Sequence, residues 1–558
     1  MESIILLSAL LGGCIIAYLF ELRDQRTAQR LLLAKLKKDF GQSPNRKYKE
    51  DDLDHIKGYY LKHPSDFQID DITWNDLNMD GVFVRMNYCL SATGEEYLYH
   101  MLRTPKFEDD FEDMEKKIEL FRNNDEIRHR FQINFSRIGR RIRYSIYDYI
   151  DYLDKAEGFS NTKHFAMLIL MLAAIAFCFV NFTAGFIALI CLMLVNIVLY
   201  FKEKNDIEPY LATYGYILKV IRATEMFEKE NIPELADDLK QLKESATKLK
   251  GFTRGADILM SSQRMNSGGN PAELILDYIR MATHIDIIKF NQMYTQIMAH
   301  RDDLDTIISI TGKLDALISV ACFRQSFDGS FSVPEFDNNS GYKAEKVIHP
   351  LIPGCVENDV DTQKGILITG SNASGKSTYL KSCAINAILA QSIHTVLAQN
   401  YNSSFFRIFS SMALTDDIFE GDSYYIVEIK SIKRILDAAK MQGAKVLCFV
   451  DEVLRGTNTV ERIAASTQIL KTFSRSNVLC FAATHDIELT SLLEEDFDIC
   501  HFEGYVNGND VKFDYLIKEG PATNRNAINL LGVLGYDESI VTDAQALADK
   551  FLTTGHWD

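Results

Sequence analysis

The chain has 558 residues, 25% of them charged and 47% apolar, with a formal net charge of −17. Its length accommodates roughly three or four domains, and its acidic balance excludes a chain built mainly to coat nucleic acid, which would be basic. Ten scattered cysteines form no C-x-x-C pair and no zinc-spaced cluster, the pattern of reduced thiols in a cytosolic protein.

Residues 1–22 read as an N-terminal transmembrane anchor. Ile4 to Phe20 carries no charge and is just long enough to cross a bilayer. A cleaved signal peptide is the competing reading, but no basic stretch precedes the run and no small-residue cleavage site follows it. Arg23, Arg26, Arg30, Lys35, Lys37 and Lys38 come next, in a juxtamembrane linker over 23–64. The positive-inside rule then puts the rest of the chain in the cytoplasm.

Residues 65–160 form the first part of a helical core, with a cap-like start at Asp70-Asp71-Ile72-Thr73 and helical spacing in Gly94–Arg103 and Met114–Phe131. Residues 161–203 hold two charge-free runs, Phe165–Val180 and Ala184–Phe201, around the turn Asn181-Phe182-Thr183. They are too long together for one span, so a membrane hairpin is expected, with a buried core hairpin as the alternative. Lys155 and Lys163 before it and Lys202 and Lys204 after it place both flanks on the cytoplasmic side. Residues 204–339 return to helical sequence, the second part of the core or a lever. It includes a loop at Asn266–Asn270, one long helix over Pro271–His300 and another over Asp302–Phe323.

From residue 340 to 545 short β-like runs alternate with helical patterns, as in an α/β domain, and 546–558 form a C-terminal tail. The apolar run Gly365–Thr369 leads into Gly370-Ser371-Asn372-Ala373-Ser374-Gly375-Lys376-Ser377 and then a helix from Thr378. Strand, glycine turn and helix are the context of a P-loop. Inward-pointing amides and a helix N-terminus capture anions there, and the two glycines let the backbone approach. Lys376 is placed to reach the β- and γ-phosphates of ATP, and the Ser377 hydroxyl to ligate Mg²⁺. A second strand, Val446–Val450, ends in Asp451-Glu452. Asp451 there can hold Mg²⁺ and Glu452 can act as the base that activates water. A third, Val478–Ala483, ends at Thr484-His485, where His485 can sense the γ-phosphate. The expected fold is therefore an α/β ABC-type P-loop ATPase domain preceded by a mostly α-helical core, with about three transmembrane helices.

The segments Thr369–Thr378, Asp451-Glu452-Val453-Leu454-Arg455-Gly456-Thr457-Asn458-Thr459 and Ala483-Thr484-His485 resemble the ATPase domain of the MutS mismatch-repair family. So does Gly421-Asp422-Ser423-Tyr424-Tyr425-Ile426-Val427-Glu428-Ile429, which is similar to the family's serine-containing signature. The Arg-Gly-Thr turn after the paired carboxylates is the most specific part. The resemblance implies a homodimer in which Ser423 of one subunit completes the ATP site of the other, and it implies DNA as a ligand. Against the family pattern, no mismatch-reading domain precedes residue 65, Ala373 stands where Met is usual, and Cys355 stands where an aromatic would meet adenine. The composite expectation is a multi-pass, membrane-anchored ATPase with its catalytic domain cytoplasmic. Its rival is a membrane-bound mechanical switch acting on protein partners without DNA.

Overall fold

The computed structural model describes residues 20–557 apart from 21–22, 25, 49–52, 141–144, 155–159, 228–229, 262–277, 338–340, 372–373, 413–423, 456, 508–509, 523–527, 529–530, 533–534 and 555. The expected anchor at 1–22, save Phe20, and the Asn266–Asn270 loop lie outside the described residues. Two compact units emerge, and they interleave along the chain. The first comprises Met1–Pro64, Asn87–His100 and Asp113–Phe323, the second Ser65–Met86, Met101–Glu112 and Arg324–Asp558.

The first unit is helical. Helix α1 (Asp125–Ile138) starts at a side-chain cap, where Asn124 accepts a hydrogen bond from Ile127 N at 3.0 Å, and stops at Gly139, whose φ of 80° suits glycine. Helices α2 (Thr162–Cys178) and α3 (Phe182–Phe227) pack as a hairpin. At its tip a Cβ on Gly185 would lie 2.6 Å from Cys178 N, so only glycine allows the two helices to close there. Helix α3 runs through Pro209 without a boundary at residue 204, where the hydropathy pattern suggests one. Its second half is buried, with Phe227 stacked on Phe131 at 4.7 Å. The long helix expected over Pro271–His300 is interrupted: His284 has φ 53°, and α4 (Ile285–Ala299) starts after it. Helix α5 (Arg301–Ser326) carries Asp315, whose buried carboxylate accepts from Leu90 N, Ser91 N and Ser91 Oγ at 3.0, 2.8 and 2.6 Å.

Among the described residues two helices are long and apolar enough to cross a membrane, α3 and α5. The apolar window of α5 is 83% buried, as in a core helix, whereas that of α3 is 11% buried. Helix α2 falls short of the spanning length; its Ile169 and Leu172 are exposed, as are Leu194 and Val198 on α3. These apolar helices hint weakly at membrane association and do not establish a multi-pass topology.

The second unit is α/β. Strands β1 (Glu335–Phe336), β2 (Tyr342–Val347), β3 (Asn358–Thr362) and β5 (Asn400–Ser403) form one sheet, in order β1-β5-β2-β3. Strands β4 (Gly365–Thr369), β6 (Phe406–Ser411), β7 (Lys445–Asp451), β8 (Val478–Thr484), β9 (Asp498–His501) and β12 (Lys518–Glu519) form a second, in order β12-β9-β4-β8-β7-β6. All its pairings are parallel except β12 with β9. A hairpin, β10 (Gly504–Asn507) with β11 (Asp510–Phe513), stands apart. Strands β4 and β8 are buried throughout, as parallel strands covered on both faces must be. Helix α6 (Lys376–Ile393) packs on this sheet, as do α7 (Tyr424–Ala439) and α8 (Thr459–Arg475); α9 (Glu538–Thr554) closes the chain. Ile432, Ile435, Leu470 and Phe473 meet Val446, Cys448 and Cys480 in the core.

Residues 65–86, expected in the helical core, belong to this α/β unit. Asp70 caps helix Asp71–Asp76 through Thr73 N at 2.8 Å. Asp76, at the other end, is buried and accepts from Ser410 Oγ at 2.7 Å and Met412 N at 2.9 Å, fixing the end of β6. Asp76→Ala strands these donors and is expected to cost about 2–3 kcal/mol, read as a lower urea midpoint; Asp76→Asn should lose less.

Candidate functional site

The site is assembled at the carboxyl ends of the parallel strands, where open α/β sheets hold ligands. Register sets it up. Thr369 pairs with Thr484 across β4 and β8, and Asp451 pairs with Ala483 across β7 and β8. The chain segments leaving all three strands therefore start from one edge of the sheet.

After β4 the backbone turns through Gly370 at φ 147°, where a Cβ would lie 2.7 Å from Phe502 O. It enters α6 through Gly375 at φ 109°. Between them Ser371 and Ser374 are described; Asn372 and Ala373 lie outside the described residues. The Lys376 ammonium folds back over this turn and donates to Gly370 O at 2.7 Å and Ser371 O at 3.0 Å. Burial pushes Lys376 down to about 8, against the opposing pull of Asp451 and Glu452. At the second residue of the helix, Ser377 Oγ donates to Asp451 Oδ2 at 2.5 Å.

Glu452 follows Asp451 with φ 62°, and Leu454 has φ 61°. Such left-handed conformations cost about 1–3 kcal/mol each in residues with a side chain and persist only where neighbours enforce them. Here Glu452 N donates to Ala483 O at 2.9 Å and Ser466 Oγ to Val453 O at 3.1 Å. The buried Glu428 of α7 accepts from the amides of Leu454 and Arg455. The Glu452 carboxylate is held on both oxygens, by His485 Nε2 at 2.7 Å and Arg455 Nε at 2.6 Å. Burial pushes that carboxyl up, but the His485 hydrogen bond and the Arg455 charge outweigh it and leave the group below the ordinary glutamate value.

A cavity of about 920 Å³ joins these parts. Its wall includes Ser371, Ser374, Gly375, Lys376, Ser377 and Thr378, together with Asp451, Glu452 and His485. Thus of the residues singled out in the sequence, the structure gathers the described loop residues, both carboxylates and the histidine. Gly370 belongs to the turn but does not line the cavity, and Ser423 lies outside the described residues.

Residues without a role in the sequence reading also contribute. Arg455 lies within the quoted Arg-Gly-Thr turn, but its grip on Glu452 depends on the turn's backbone. Tyr515 lines the cavity near Gly375 although it lies far downstream in the chain. It is brought there by Asn358, which donates to Tyr515 O at 2.9 Å and accepts from Ile517 N at 2.8 Å. Cys355 also lines the cavity, as its sequence position suggests.

Residues 366–552 match the family model for MutS domain V, the ATPase domain of the MutS family. The match covers about a third of the chain and shows what that stretch is similar to. It begins within β4 and ends in α9, so it takes in the glycine turn, the paired carboxylates and His485. The mostly helical first unit and the mixed sheets of the second are consistent with it.

Lys376 has a consequence independent of any ligand. Below pH 8 the folded chain keeps a buried ammonium at a cost. Between about 8 and the ordinary lysine value near 10.4 the unfolded chain binds the extra proton, so stability rises with pH across that window. Thermal midpoints measured across it should rise less in Lys376→Met than in the parent.

Proposed function

We propose that this chain is a MutS-like ATPase that binds and hydrolyses ATP with Mg²⁺ as a homodimer and couples the cycle to its helical unit. The observation that carries the reading is the 2.5 Å pairing of Ser377 with Asp451 beside Lys376, in one cavity with Glu452. A hydroxyl and a carboxylate side by side are hard oxygen donors suited to Mg²⁺. The amides of the glycine turn and Lys376 would bind the phosphates. Mg²⁺ held by Ser377 and Asp451 would neutralise charge on the phosphate oxygens.

Glu452 is the group assigned to the attacking water. A carboxylate held below its ordinary value is ionised at neutral pH but is a weak base, so orienting the water is its larger contribution. His485 and Arg455 fix its two oxygens. His485, at the end of β8, can sense the γ-phosphate and pass that information to Glu452. Tyr515, an aromatic in the cavity wall, would be the residue to meet the base. Ser423 would complete the partner's site.

Proteins of this family commonly bind DNA, and we carry DNA as one ligand of the helical unit. The bare α2–α3 hairpin favours the second reading, a membrane-bound switch acting on protein partners. In that arrangement the hairpin lies in the bilayer and the ATPase unit in the cytoplasm. DNA binding by the intact protein should weaken steeply with added salt; binding that is absent or insensitive to salt favours the protein partner.

Lys376→Ala is expected to weaken ATP binding about a hundredfold, the loss of roughly 3 kcal/mol of charge-assisted contact. Glu452→Gln should bind ATP normally while hydrolysis falls about 10²–10⁴-fold. Turnover assays with a fluorescent-nucleotide titration separate the two, and parental hydrolysis by Glu452→Gln would remove Glu452 from this role.

A chain lacking residues 1–22 should still float with liposomes after alkaline carbonate. Adding Leu194→Arg and Val198→Arg, each costing about 2.5–3.5 kcal/mol within a bilayer, should release it. Flotation unchanged by the pair would place the hairpin outside the bilayer.

A further inference from the structure

We infer that Glu428 is a positioning residue for ATP hydrolysis: its buried carboxylate holds the strained turn that aims Glu452 and Arg455. The inference rests on the ATPase reading and extends it to a residue outside the cavity wall.

The argument begins with the turn. Glu452 and Leu454 both have left-handed backbones, and neither is a glycine that would adopt this conformation freely. Something must therefore enforce it. Glu428 is 2% exposed and projects from the first half of α7. One of its oxygens accepts from Leu454 N, and the other accepts from Arg455 N at 3.1 Å. No other side-chain group bonds these two amides among the described residues. The Leu454 amide belongs to the left-handed residue itself. The Arg455 amide fixes the start of the side chain whose guanidinium reaches Glu452 Oε2 at 2.6 Å and Asp451 O at 3.2 Å. One carboxylate thus locks the turn at two successive amides, and through Arg455 it locks one oxygen of Glu452.

The chemistry explains why a carboxylate is used. Two adjacent N–H donors converge here: Leu454 N and Arg455 N both reach Oε1, and Arg455 N also reaches Oε2 at 3.1 Å, so a carboxylate, charged and with two acceptor oxygens and no donor, satisfies them more fully than an amide does. A glutamine offers one oxygen and turns an NH₂ toward the other amide. That leaves a buried donor facing a donor, and the turn would relax toward an ordinary backbone. Glu452 would then lose its alignment while Lys376, Ser377 and the glycine turn stay in place. Binding and turnover should therefore separate, because displacing a reacting group by about an ångström costs on the order of a hundredfold in rate.

The test uses the full-length protein in detergent, with parent, Glu428→Gln, Glu452→Gln and the double variant. Expected for Glu428→Gln is a fluorescent-ATP affinity within about threefold of the parent and a kcat lower by about tenfold to a hundredfold. In the Glu452→Gln background the same change should have no further effect on residual turnover, since its action passes through Glu452. Without nucleotide, trypsin should cleave after Arg455 faster in Glu428→Gln than in the parent, with fragments identified by mass spectrometry. The proposal is overturned if Glu428→Gln keeps parental kcat, if kcat and affinity fall together, or if cleavage at Arg455 is unchanged. If the parent itself does not hydrolyse ATP, the ATPase reading falls, and the cleavage result alone decides whether Glu428 holds the turn.

Discussion

Parallel pairing of β4, β8 and β7 fixes where every functional group of the α/β unit can be. Thr369, Thr484 and Asp451 end their strands within one residue of each other in register. The glycine turn, the paired carboxylates and His485 must then emerge at the same edge. A slip of one residue in any of these strands would turn its side chains to the opposite face of the sheet. The buried, β-branched and aromatic character of the strands protects that register. The 2.5 Å meeting of Ser377 with Asp451 follows from it, because two elements far apart in sequence are delivered to one point.

The site is held by a graded set of constraints. Glycines relieve crowding ahead of α6, where Gly370 meets the Phe502 carbonyl and Gly375 the Tyr515 and Phe502 rings. Beyond β7 the chain does the reverse and places side-chain residues in a left-handed turn, held by Glu428, Ser466 and Ala483. The first arrangement relieves crowding, and the second spends stability to hold a strained turn. Glu452 ends between a histidine and an arginine, so the groups that orient it also set its ionisation.

Much of this was legible in the chain because its causes are local. A strand, a glycine turn and a helix start lie within one short stretch, and Asp70 announces a cap by type and spacing alone. What stayed hidden depends on distant partners. Residues 65–86 read as one more helical segment, yet Asp76 binds the end of β6 and ties them to the α/β unit. His284 breaks a helix that periodicity alone would continue, because no pattern in the surrounding residues announces a left-handed histidine. The hydropathy pattern puts a boundary at residue 204, yet α3 runs through it and through Pro209, since tertiary packing of the buried half outweighs one lost backbone hydrogen bond. Tyr515 had no local signal, because its place depends on Asn358 reaching across to another part of the chain.

The uninterrupted course of α3 has a mechanical meaning. Its 46 residues make a rod of about 70 Å at the usual rise. The outer half presents bare leucines, valines and phenylalanines, and the inner half is embedded among the packed helices of the first unit. No loop divides the two. Torque applied at either end would be passed along as rotation of one stiff shaft, instead of being absorbed by a flexible coupling.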